Sequence, residues 1–311
     1  MTLRSVVLGG TGFVGNGLVR ALGEQGGHVR VVGRSFPRMA EAKSPPFEGV
    51  GLDLFNSSDD DLRRVIDGCD VVYHLAWSSL PSSAEADVLA DMETNVIFTL
   101  RLLNLMEKTG GRLVFCSSGG TVYGHAAMDL IDETHPLQPI NAYGAGKVCA
   151  ETYCNLYRFT GRVDARVARL SNPYGAGQDK GRMQGALSRF VRLAVSGEQI
   201  EIWGDGEVVR DYIDIDDAAR GMIALAQCNT LTEGAPAVFN IGSGRGTSLN
   251  RLLTKIEGEL GRKLSVTRMP GRRIDVRSNV LNVDKARSIL GWQATVELAD
   301  GIRNLIATIS K

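Results

Sequence analysis

The chain has 311 residues, of which 43% are apolar and 23% are charged, and this composition excludes a disordered, collagen-like or coiled-coil protein. Lys plus Arg and Asp plus Glu both number 35, so a net charge of zero gives no general attraction to nucleic acid or to an anionic membrane. No apolar run approaches the ~20 residues of a membrane span, and the N-terminal segment lacks the apolar core of a signal peptide. The sequence predicts a cytoplasmic protein of one large or two modest domains.

The five cysteines follow no metal-binding spacing and indicate reduced thiols. The four histidines and the carboxylates do not cluster as ligands do, so we expect no metal site. Because the net charge is zero, any anionic ligand must be held by a local group of donors.

The first half of the chain alternates short β-branched apolar runs with segments of helical period. This alternation predicts a parallel sheet covered by helices on both faces. The predicted strands span 5–8, 28–32, 49–52, 71–75, 112–116 and 163–170, and the predicted helices span 13–25, 59–67, 85–108 and 141–159. The proline-containing stretch 34–48 is predicted as a loop.

The second half has a different pattern. It reads as a loop at 172–177, a turn at 204–206, helices at 184–196, 216–227, 249–260 and 298–310, and strands at 199–203 and 237–241. Because this part does not extend the regular alternation, it predicts a smaller α+β lobe over the carboxyl edge of the sheet. The predicted fold is therefore α/β, with a doubly wound parallel sheet from residues 1–171 and 208–242 and a lobe from 172–207 and 243–311.

A glycine-rich turn, Gly9-Gly10-Thr11-Gly12-Phe13-Val14-Gly15, connects the first predicted strand to the first predicted helix. Glycine permits the tight turn, brings backbone N–H groups close to a pyrophosphate and lets the helix pack on the strand, while the helix N-terminus favours phosphate. A turn at this position predicts a dinucleotide cofactor, and a purely structural glycine turn is the alternative.

The residues after the next two strands bear on which dinucleotide binds. An acid at the end of the second strand would bind the ribose hydroxyls of NAD, whereas a cation there accommodates the 2′-phosphate of NADP. This strand ends in Gly33 and Arg34, which favours NADP unless Arg34 is a solvated loop charge. Asp53, after the third strand, is placed to meet the adenine or to cap the turn that follows.

Tyr143 and Lys147 lie one helical turn apart, which puts a phenol and an ammonium on the same helix face. A free tyrosine titrates near ~10, so it acts as a base at neutral pH only if positive charge stabilises its phenolate. Lys147 supplies one such charge, and an oxidised nicotinamide would supply a second. The pair therefore predicts a proton-transfer site beside a dinucleotide.

These motifs resemble those of the extended short-chain dehydrogenase/reductase family, and within it the NAD-dependent epimerase/dehydratase branch typified by UDP-galactose 4-epimerase. The resemblance covers essentially the whole chain. It rests on the segments 9–15, 74–76, 95–96, 117–124, 143–147, 169–175, 204–213, 272–275 and 290–292. It implies a Rossmann-type domain that holds NAD or NADP, and a C-terminal lobe that binds the NDP part of a sugar.

The resemblance also implies roles for individual residues. Tyr143 would remove the proton of the sugar 4-hydroxyl, while Lys147 would hold the nicotinamide ribose and lower the tyrosine pKa. The implied cofactor-binding residues are Gly9, Thr11, Gly12, Phe13, Val14, Gly15, Gly33, Arg34, Asp53, Leu54, Leu75, Ala76, Asn95, Ser117, Tyr143 and Lys147. The implied substrate-binding residues are Thr121, Asn172, Ala186, Glu201, Trp203, Arg210, Arg272 and Asp275. Arg210 and Arg272 would clamp the diphosphate, and a surface ion pair with Asp211 or Asp214 is the alternative for Arg210.

The chain departs from the family at Gly119, where the epimerases carry a Ser or Thr four residues before the position of Tyr123. The hydroxyl that shares the substrate proton must then come from Thr121, which we expect, or from Ser118 or an ordered water. Residues 120–122 offer no carboxylate of the kind that 4,6-dehydratases and sugar decarboxylases use, so these two reactions are disfavoured.

The sequence therefore predicts an NDP-sugar 4-epimerase, with a UDP-hexose as the expected substrate, that oxidises C4 transiently with bound NAD. The alternative is an NADPH-dependent 4-ketoreductase, which Gly33, Arg34 and Gly119 fit better. A non-catalytic nucleotide-sensing protein on the same fold is a third hypothesis, and the intact Tyr143 and Lys147 argue against it. The family further implies a homodimer formed through helices 85–108 and 141–159.

Overall fold

A computed structural model describes residues 3–36, 47–81, 83–126, 128–178, 185–271 and 276–310. Its strands are β1 (Arg4–Leu8), β2 (His28–Gly33), β3 (Glu48–Gly51), β4 (Val71–His74), β5 (Arg112–Ser118), β6 (Asp164–Leu170), β7 (Asn172–Tyr174), β8 (Ile200–Trp203), β9 (Val209–Asp214), β10 (Val238–Ile241), β11 (Gly246–Ser248), β12 (Val266–Met269) and β13 (Ser278–Asn279). Seven of these strands form one parallel sheet in the order β10-β6-β5-β4-β1-β2-β3.

Helices cover both faces of this sheet, as the near-continuous apolar strands require. The helices are α1 (Phe13–Glu24), α2 (Asp59–Ile66), α3 (Val88–Thr109), α4 (Ala142–Phe159), α5 (Ala186–Ser196), α6 (Ile215–Gln227), α7 (Leu249–Leu260), α8 (Asp284–Leu290) and α9 (Leu298–Ile309). On one face, Leu18 of α1 and Met222 of α6 are buried against the sheet. On the other face, Leu62 of α2, Phe98 of α3 and Ala150 of α4 are buried. The predicted α/β fold, a doubly wound parallel sheet of Rossmann type, is confirmed.

The strand order reverses between β1 and β4, because β2 and β3 lie on one side of β1 and β4, β5 and β6 lie on the other. A crevice opens outside the carboxyl ends of the strands at such a point, and it is the common ligand site of open α/β sheets. The chain that follows β1 and the chain that follows β4 meet there, since the N–H of Leu75 donates to the carbonyl of Leu8 at 3.0 Å.

The smaller sheets lie in the second half of the chain. Strand β9 pairs with β7 and β13 in parallel and with β11 antiparallel, and β8 pairs with β12. Helices α5, α7 and α9 pack around a separate apolar core that includes Leu187, Leu252 and Ile302. Helix α8 instead contacts strand β10 of the large sheet and helix α6, which covers that sheet. The boundaries of the two lobes stay a prediction.

The structure corrects two predicted elements. Residues 172–177, predicted as a loop, begin with β7, because Asn172 to Tyr174 pair with residues 212–214 of β9. The predicted helix 85–108 is divided into a 3-10 turn at Ala84–Ala86 and α3, which begins after Asp87. The carboxylate of Asp87 accepts a hydrogen bond from the N–H of Ala90 at 2.9 Å, and this cap starts the helix anew.

None of the helices described here combines the length and the apolar character that crossing a bilayer requires. All five cysteines carry unpaired thiols. Within the described ranges, no three side chains of His, Cys, Asp or Glu gather as metal ligands do.

Candidate active site

The glycine-rich turn 9–15 lies at the carboxyl end of β1, and two of its glycines leave no room for a side chain. Gly9 has a φ of +82°, and a Cβ there would lie 2.8 Å from the backbone N of Ala76. A Cβ on Gly15 would lie 2.3 Å from the carbonyl O of Gly9, so α1 packs directly on the turn. Gly12 is the N-cap of α1 and no side chain caps it, which leaves the first N–H groups of the helix to an anionic ligand.

The remaining residues of this motif lie at the start of α1 and beside the end of β2. Phe13 and Val14 form the first turn of α1 and are half-buried. Thr11 packs against the end of β2, where a Cβ on Gly33 would lie 2.8 Å from its Oγ1. Thr11 therefore fills the space that a side chain at position 33 would need.

Arg34 and Asp53 lie at the carboxyl ends of β2 and β3, and both line one cavity of about 410 Å³. Arg34 is exposed, whereas Asp53 is half-buried. The Oδ2 of Asp53 accepts a hydrogen bond from Nδ2 of Asn56 at 3.0 Å, so Asp53 also has the turn-capping role. Leu54 is buried in the core beneath this cavity. The cavity is therefore lined by both a cation and an anion, and their contacts with a dinucleotide stay predictions.

The loop after β4 carries Leu75 and Ala76 to the glycine turn, and Asn95 of α3 anchors the residues that follow. The Oδ1 of Asn95 accepts the N–H of Ser78 at 2.7 Å, and its Nδ2 donates to Oδ1 of Asp91 at 2.9 Å. These bonds occupy the fully buried amide. In this structure Asn95 holds the loop through these bonds, and its predicted contact with the cofactor stays a prediction.

Tyr143 and Lys147 project from the first turns of α4 toward the end of β5. The Nζ of Lys147 donates to the carbonyl of Cys116 at 2.8 Å, and this ammonium is almost completely buried. The Trp77 indole covers it, with Nζ 3.7 Å from the ring centroid. The phenol of Tyr143 meets the same indole edge-on, and Nζ lies 5.7 Å from the Tyr143 ring centroid. The predicted pair is thus brought together in one aromatic pocket.

Burial governs the titration of both groups in the protein itself. It lowers the pKa of Lys147 to about 8, although Cys116, Glu151 and Asp91 act in the opposite direction. Burial also raises the pKa of Tyr143 well above its ordinary value, and Cys116 and Asp91 add to this increase. The expected lowering of the tyrosine pKa therefore does not come from Lys147 alone, and a phenolate here needs a further positive charge.

Ser118 is the last residue of β5, and Thr121 lies in the turn that follows this strand. The carbonyl of Ser118 accepts both the N–H of Thr121, at 3.1 Å, and its Oγ1, at 3.4 Å. A Cβ on Gly119 would lie 2.7 Å from Cδ1 of Leu281, so Leu281 occupies the space of the hydroxyl residue that the family carries there. Ser118 is adjacent to Gly119 in sequence, and Thr121 is two residues away from it.

The hydroxyl of Ser117 donates to Glu151 in a buried polar network, and the predicted contact of Ser117 with the cofactor stays a prediction. Arg169 of β6 donates to Oε2 of Glu151 at 2.7 Å and to the Tyr123 hydroxyl at 2.9 Å. Tyr123 in turn donates to Oδ1 of Asn240 at 2.7 Å. The network ties the ends of β5, β6 and β10 to α4 beside the turn 118–121.

Asn172, at the start of β7, borders the same turn from the small lobe. A Cβ on Gly120 would lie 3.7 Å from its Oδ1, and its Nδ2 donates to the carbonyl of Asp211 at 2.9 Å. The half-buried amide oxygen thus lies next to the turn that carries Ser118 and Thr121, as a contact to the substrate requires.

Arg210 lies on β9, where its Nη1 donates to the carbonyl of Val276 at 2.7 Å. The buried carboxylate of Asp211 accepts the N–H of Ser243 at 2.8 Å, and Asp214 caps α6 by accepting the N–H of residue 216 at 2.9 Å. The contact of Arg210 with a substrate diphosphate stays a prediction.

The predicted nucleoside end is spread over the small lobe. Glu201 is exposed and Trp203 half-buried on β8, and Ala186 is the first residue of α5. Arg272 and Asp275 fall outside the described residues, so their roles stay predictions.

The sequence reasoning missed Trp77 and the pair of Glu151 and Arg169. Trp77 directly follows the segment 74–76. Two features of the sequence could have indicated its role: an aromatic residue shortly after a predicted strand, and a glycine, Gly146, between Tyr143 and Lys147. Only the structure joins them, since a Cβ on Gly146 would lie 3.2 Å from Cζ2 of the indole.

Comparison with known proteins agrees with this geometry. The model of the NAD dependent epimerase/dehydratase family matches residues 5–242. A UDP-glucose 4-epimerase of Mycolicibacterium smegmatis is 33% identical over 98% of this chain and 97% of its own, and a dTDP-4-dehydro-6-deoxyglucose reductase of Escherichia coli is 30% identical over 98% and 96%. The structure of the Thermotoga maritima UDP-glucose 4-epimerase with UDP-glucose is 30% identical, has a TM-score of 0.89 and covers 98% of each chain. The chain therefore belongs to the NAD dependent epimerase/dehydratase family.

Proposed function

We propose that the protein is a UDP-hexose 4-epimerase that oxidises C4 of the sugar transiently with bound NAD. The observation that carries this proposal is the Tyr143–Lys147 pair, because the segment Ala76-Trp77 contacts the glycine turn at one end and Lys147 at the other. A proton-transfer pair and a dinucleotide turn are thus parts of one site. The family match and the similarity to UDP-glucose 4-epimerases support the same reaction.

The residues present fit NAD. The uncapped start of α1 suits the pyrophosphate, since its first N–H groups have no side-chain acceptor. The cavity lined by Arg34 and Asp53 suits the adenosine, and Lys147 suits the nicotinamide ribose. Bound NAD would supply the hydride acceptor for C4 of the sugar and, after reduction, the hydride donor for the opposite face. Arg34 also favours NADP, which is the cofactor of the alternative 4-ketoreductase.

Tyr143 moves the proton in this mechanism. Its phenolate takes the proton of the 4-hydroxyl as C4 is oxidised and gives it back when C4 is reduced. Because burial raises the pKa of Tyr143, the phenolate depends on positive charge from Lys147 and the oxidised nicotinamide. Thr121 shares the proton through its hydroxyl, because Gly119 has no side chain. In the structure this hydroxyl donates a long hydrogen bond of 3.4 Å to the carbonyl of Ser118. Full turnover in a Thr121→Val variant would contradict this role.

The sugar nucleotide is held from the small lobe. Arg210 binds the diphosphate in a fork of N–H donors, which suits phosphate oxygens. Asn172 contacts the substrate beside the turn 118–121, and Ala186, Glu201 and Trp203 line the nucleoside end. Arg272 is proposed to bind the diphosphate together with Arg210, and Asp275 to line the nucleoside end.

The protein is proposed to form a homodimer through α3 and α4. These two helices pack against each other and leave several apolar side chains exposed, among them Leu89 and Met92 of α3 and Leu156 and Phe159 of α4. A second copy would cover them as a four-helix bundle. The five unpaired thiols fit a reducing compartment, so we place the dimer in the cytoplasm.

The identity of the nucleotide released on denaturing freshly purified protein tests the reaction. Mass spectrometry should find nearly stoichiometric NAD, because an epimerase keeps its hydride within one turnover. The same preparation should convert UDP-glucose to UDP-galactose without added cofactor, as followed by NMR. Released NADP, or a site that fills reversibly with NADPH, would replace the epimerase by the 4-ketoreductase.

A further inference from the structure

Trp77 lies between the two members of the catalytic pair, and none of the roles above uses it. The Nζ of Lys147 is 3.7 Å from the indole centroid, well inside the ~6 Å reach of a cation–π interaction. The same indole meets the Tyr143 ring at a centroid distance of 6.0 Å and an interplanar angle of 69°. Phe115 adds a second ring 4.8 Å from Nζ. The ammonium thus lies in an aromatic pocket formed by the loop after β4, by β5 and by α4.

The position of the indole is fixed by packing. The N–H of Ser78, the next residue, is held by Oδ1 of Asn95 at 2.7 Å. On the other side, Gly146 lets α4 approach the ring, since a Cβ there would lie only 3.2 Å from Cζ2 of Trp77. The indole Nε1 is buried and has no hydrogen-bond partner within the described residues. Ring contacts rather than a polar bond therefore hold Trp77 in place.

An ammonium has three N–H donors. One donor of Lys147 goes to the carbonyl of Cys116 at 2.8 Å, and the indole face covers a second direction. We propose that Trp77 is a positioning residue, which holds the Lys147 ammonium against the Cys116 carbonyl so that one donor is left for a ligand. That this ligand is the nicotinamide ribose rests on the proposed function, whereas the contact with Lys147 does not.

Titratable groups on β4, β5, α3 and α4 surround the ammonium of Lys147. The titratable groups that face it are His74 of β4, Cys116 of β5, Asp91 of α3, and Tyr143, Glu151 and Cys154 of α4. Burial already lowers the pKa of Lys147 to about 8. The electron-rich indole face favours the ammonium over the neutral amine, so removing the ring while keeping apolar bulk should lower this pKa further. A shift of about one unit, or ~1.4 kcal/mol, lies within the range of desolvated cation–π contacts.

The test follows the Lys147 side chain directly in the purified protein with its bound nucleotide. Lysines labelled with ¹³C at Cε are observed by NMR across a pH titration, and a Lys147→Met variant assigns the resonance. In the wild type, ring current should move the Hε signals of Lys147 upfield. Trp77→Leu should abolish that displacement and lower the Lys147 pKa by about one unit, while Trp77→Phe should give intermediate values. Trp292→Leu is the matched control, because Trp292 is buried in the core of the large sheet away from Lys147.

Activity is measured on the same variants. Trp77→Leu should reduce kcat and move the alkaline limit of activity to lower pH, with partial rescue in Trp77→Phe. A Lys147 signal that keeps its position and its pKa in Trp77→Leu, or a pKa that rises, would overturn the proposal. If the NMR changes occur but no UDP-sugar is epimerised by the wild type, the positioning of Lys147 stands and the proposed function falls.

Discussion

The buried pair of Arg169 and Glu151 allows the support of the site to be tested quantitatively. The perturbation is Arg169→Met, which keeps a long apolar side chain but removes the guanidinium. Glu151 then loses its bonds from Nε, at 3.1 Å, and from Nη2, at 2.7 Å, and among the described residues it keeps only the hydroxyl of Ser117. Its side chain is 1% exposed, so water cannot replace the lost partners.

The magnitude follows from this burial. Removing one partner of a buried ion pair leaves an uncompensated charge and costs about 3–5 kcal/mol. A typical domain has only about 5–15 kcal/mol of stability, so the loss is a large fraction of the total. Adding Glu151→Gln removes the stranded charge, and the double variant should recover about 1–3 kcal/mol relative to Arg169→Met.

Urea unfolding followed by tryptophan fluorescence measures these differences, with saturating NAD in every sample. Arg303→Met is the matched control, because Arg303 and Glu259 form an ion pair in which the arginine side chain is 61% exposed, and its midpoint should barely change. The reasoning would be refuted if Arg169→Met unfolded at the same urea concentration as this control. It would also fail if the double variant were less stable than Arg169→Met alone.

Three further predictions concern the reacting group, the turn and acid stability. Tyr143→Phe should lower turnover by about 10²- to 10⁴-fold while the released nucleotide stays stoichiometric; turnover within tenfold of the wild type would exclude Tyr143 as the base. Gly15→Ala should abolish nucleotide retention and lower Tm, because the added Cβ would lie 2.3 Å from the carbonyl of Gly9. Gly258→Ala in α7 is the control: a Cβ there would contact no neighbouring atom within 4 Å, so nucleotide retention and Tm should stay unchanged. Burial lowers the pKa of His74 to about 3. Between about pH 6.5 and 3, the unfolded chain therefore binds a proton at this residue that the folded protein does not bind. As the pH is lowered through this range, the free energy of unfolding should fall by ~1.4 kcal/mol per pH unit because of this group. Urea unfolding at pH 7 and pH 5.5 measures that slope, which should be absent in a His74→Gln variant.

Local signals account for the parts of the site that the sequence predicted. The glycine turn is specified by residues within one strand–turn–helix unit, and the spacing of Tyr143 and Lys147 by one helical turn, so both are visible without knowledge of the fold. Contacts between distant segments account for what was missed. Trp77 meets Lys147 only because β4, β5 and α4 assemble, and β7 forms only because residues 172–174 find β9.

Residue roles were harder to predict than residue positions. Asn95 and Ser117 both lie where the motifs place them. In the structure, however, Oδ1 of Asn95 accepts the N–H of Ser78, and the hydroxyl of Ser117 donates to Glu151. A side chain of either type satisfies its hydrogen bonds with whatever the tertiary structure brings near, and the sequence does not contain that information in any local pattern.

Gly119 shows how the packing of one residue constrains the chemistry of its neighbours. A serine at this position would have its Cβ 2.7 Å from Cδ1 of Leu281 and 3.3 Å from the carbonyl of Arg169, and Leu281 is itself completely buried. The hydroxyl that the family uses cannot be restored here unless Leu281 moves. Asn279 reinforces the arrangement, since its Nδ2 donates to the carbonyl of Gly119 at 3.0 Å. Thr121, whose hydroxyl donates one long hydrogen bond among the described residues, stays the predicted source of the proton-sharing hydroxyl, with Ser118 or an ordered water as the alternatives.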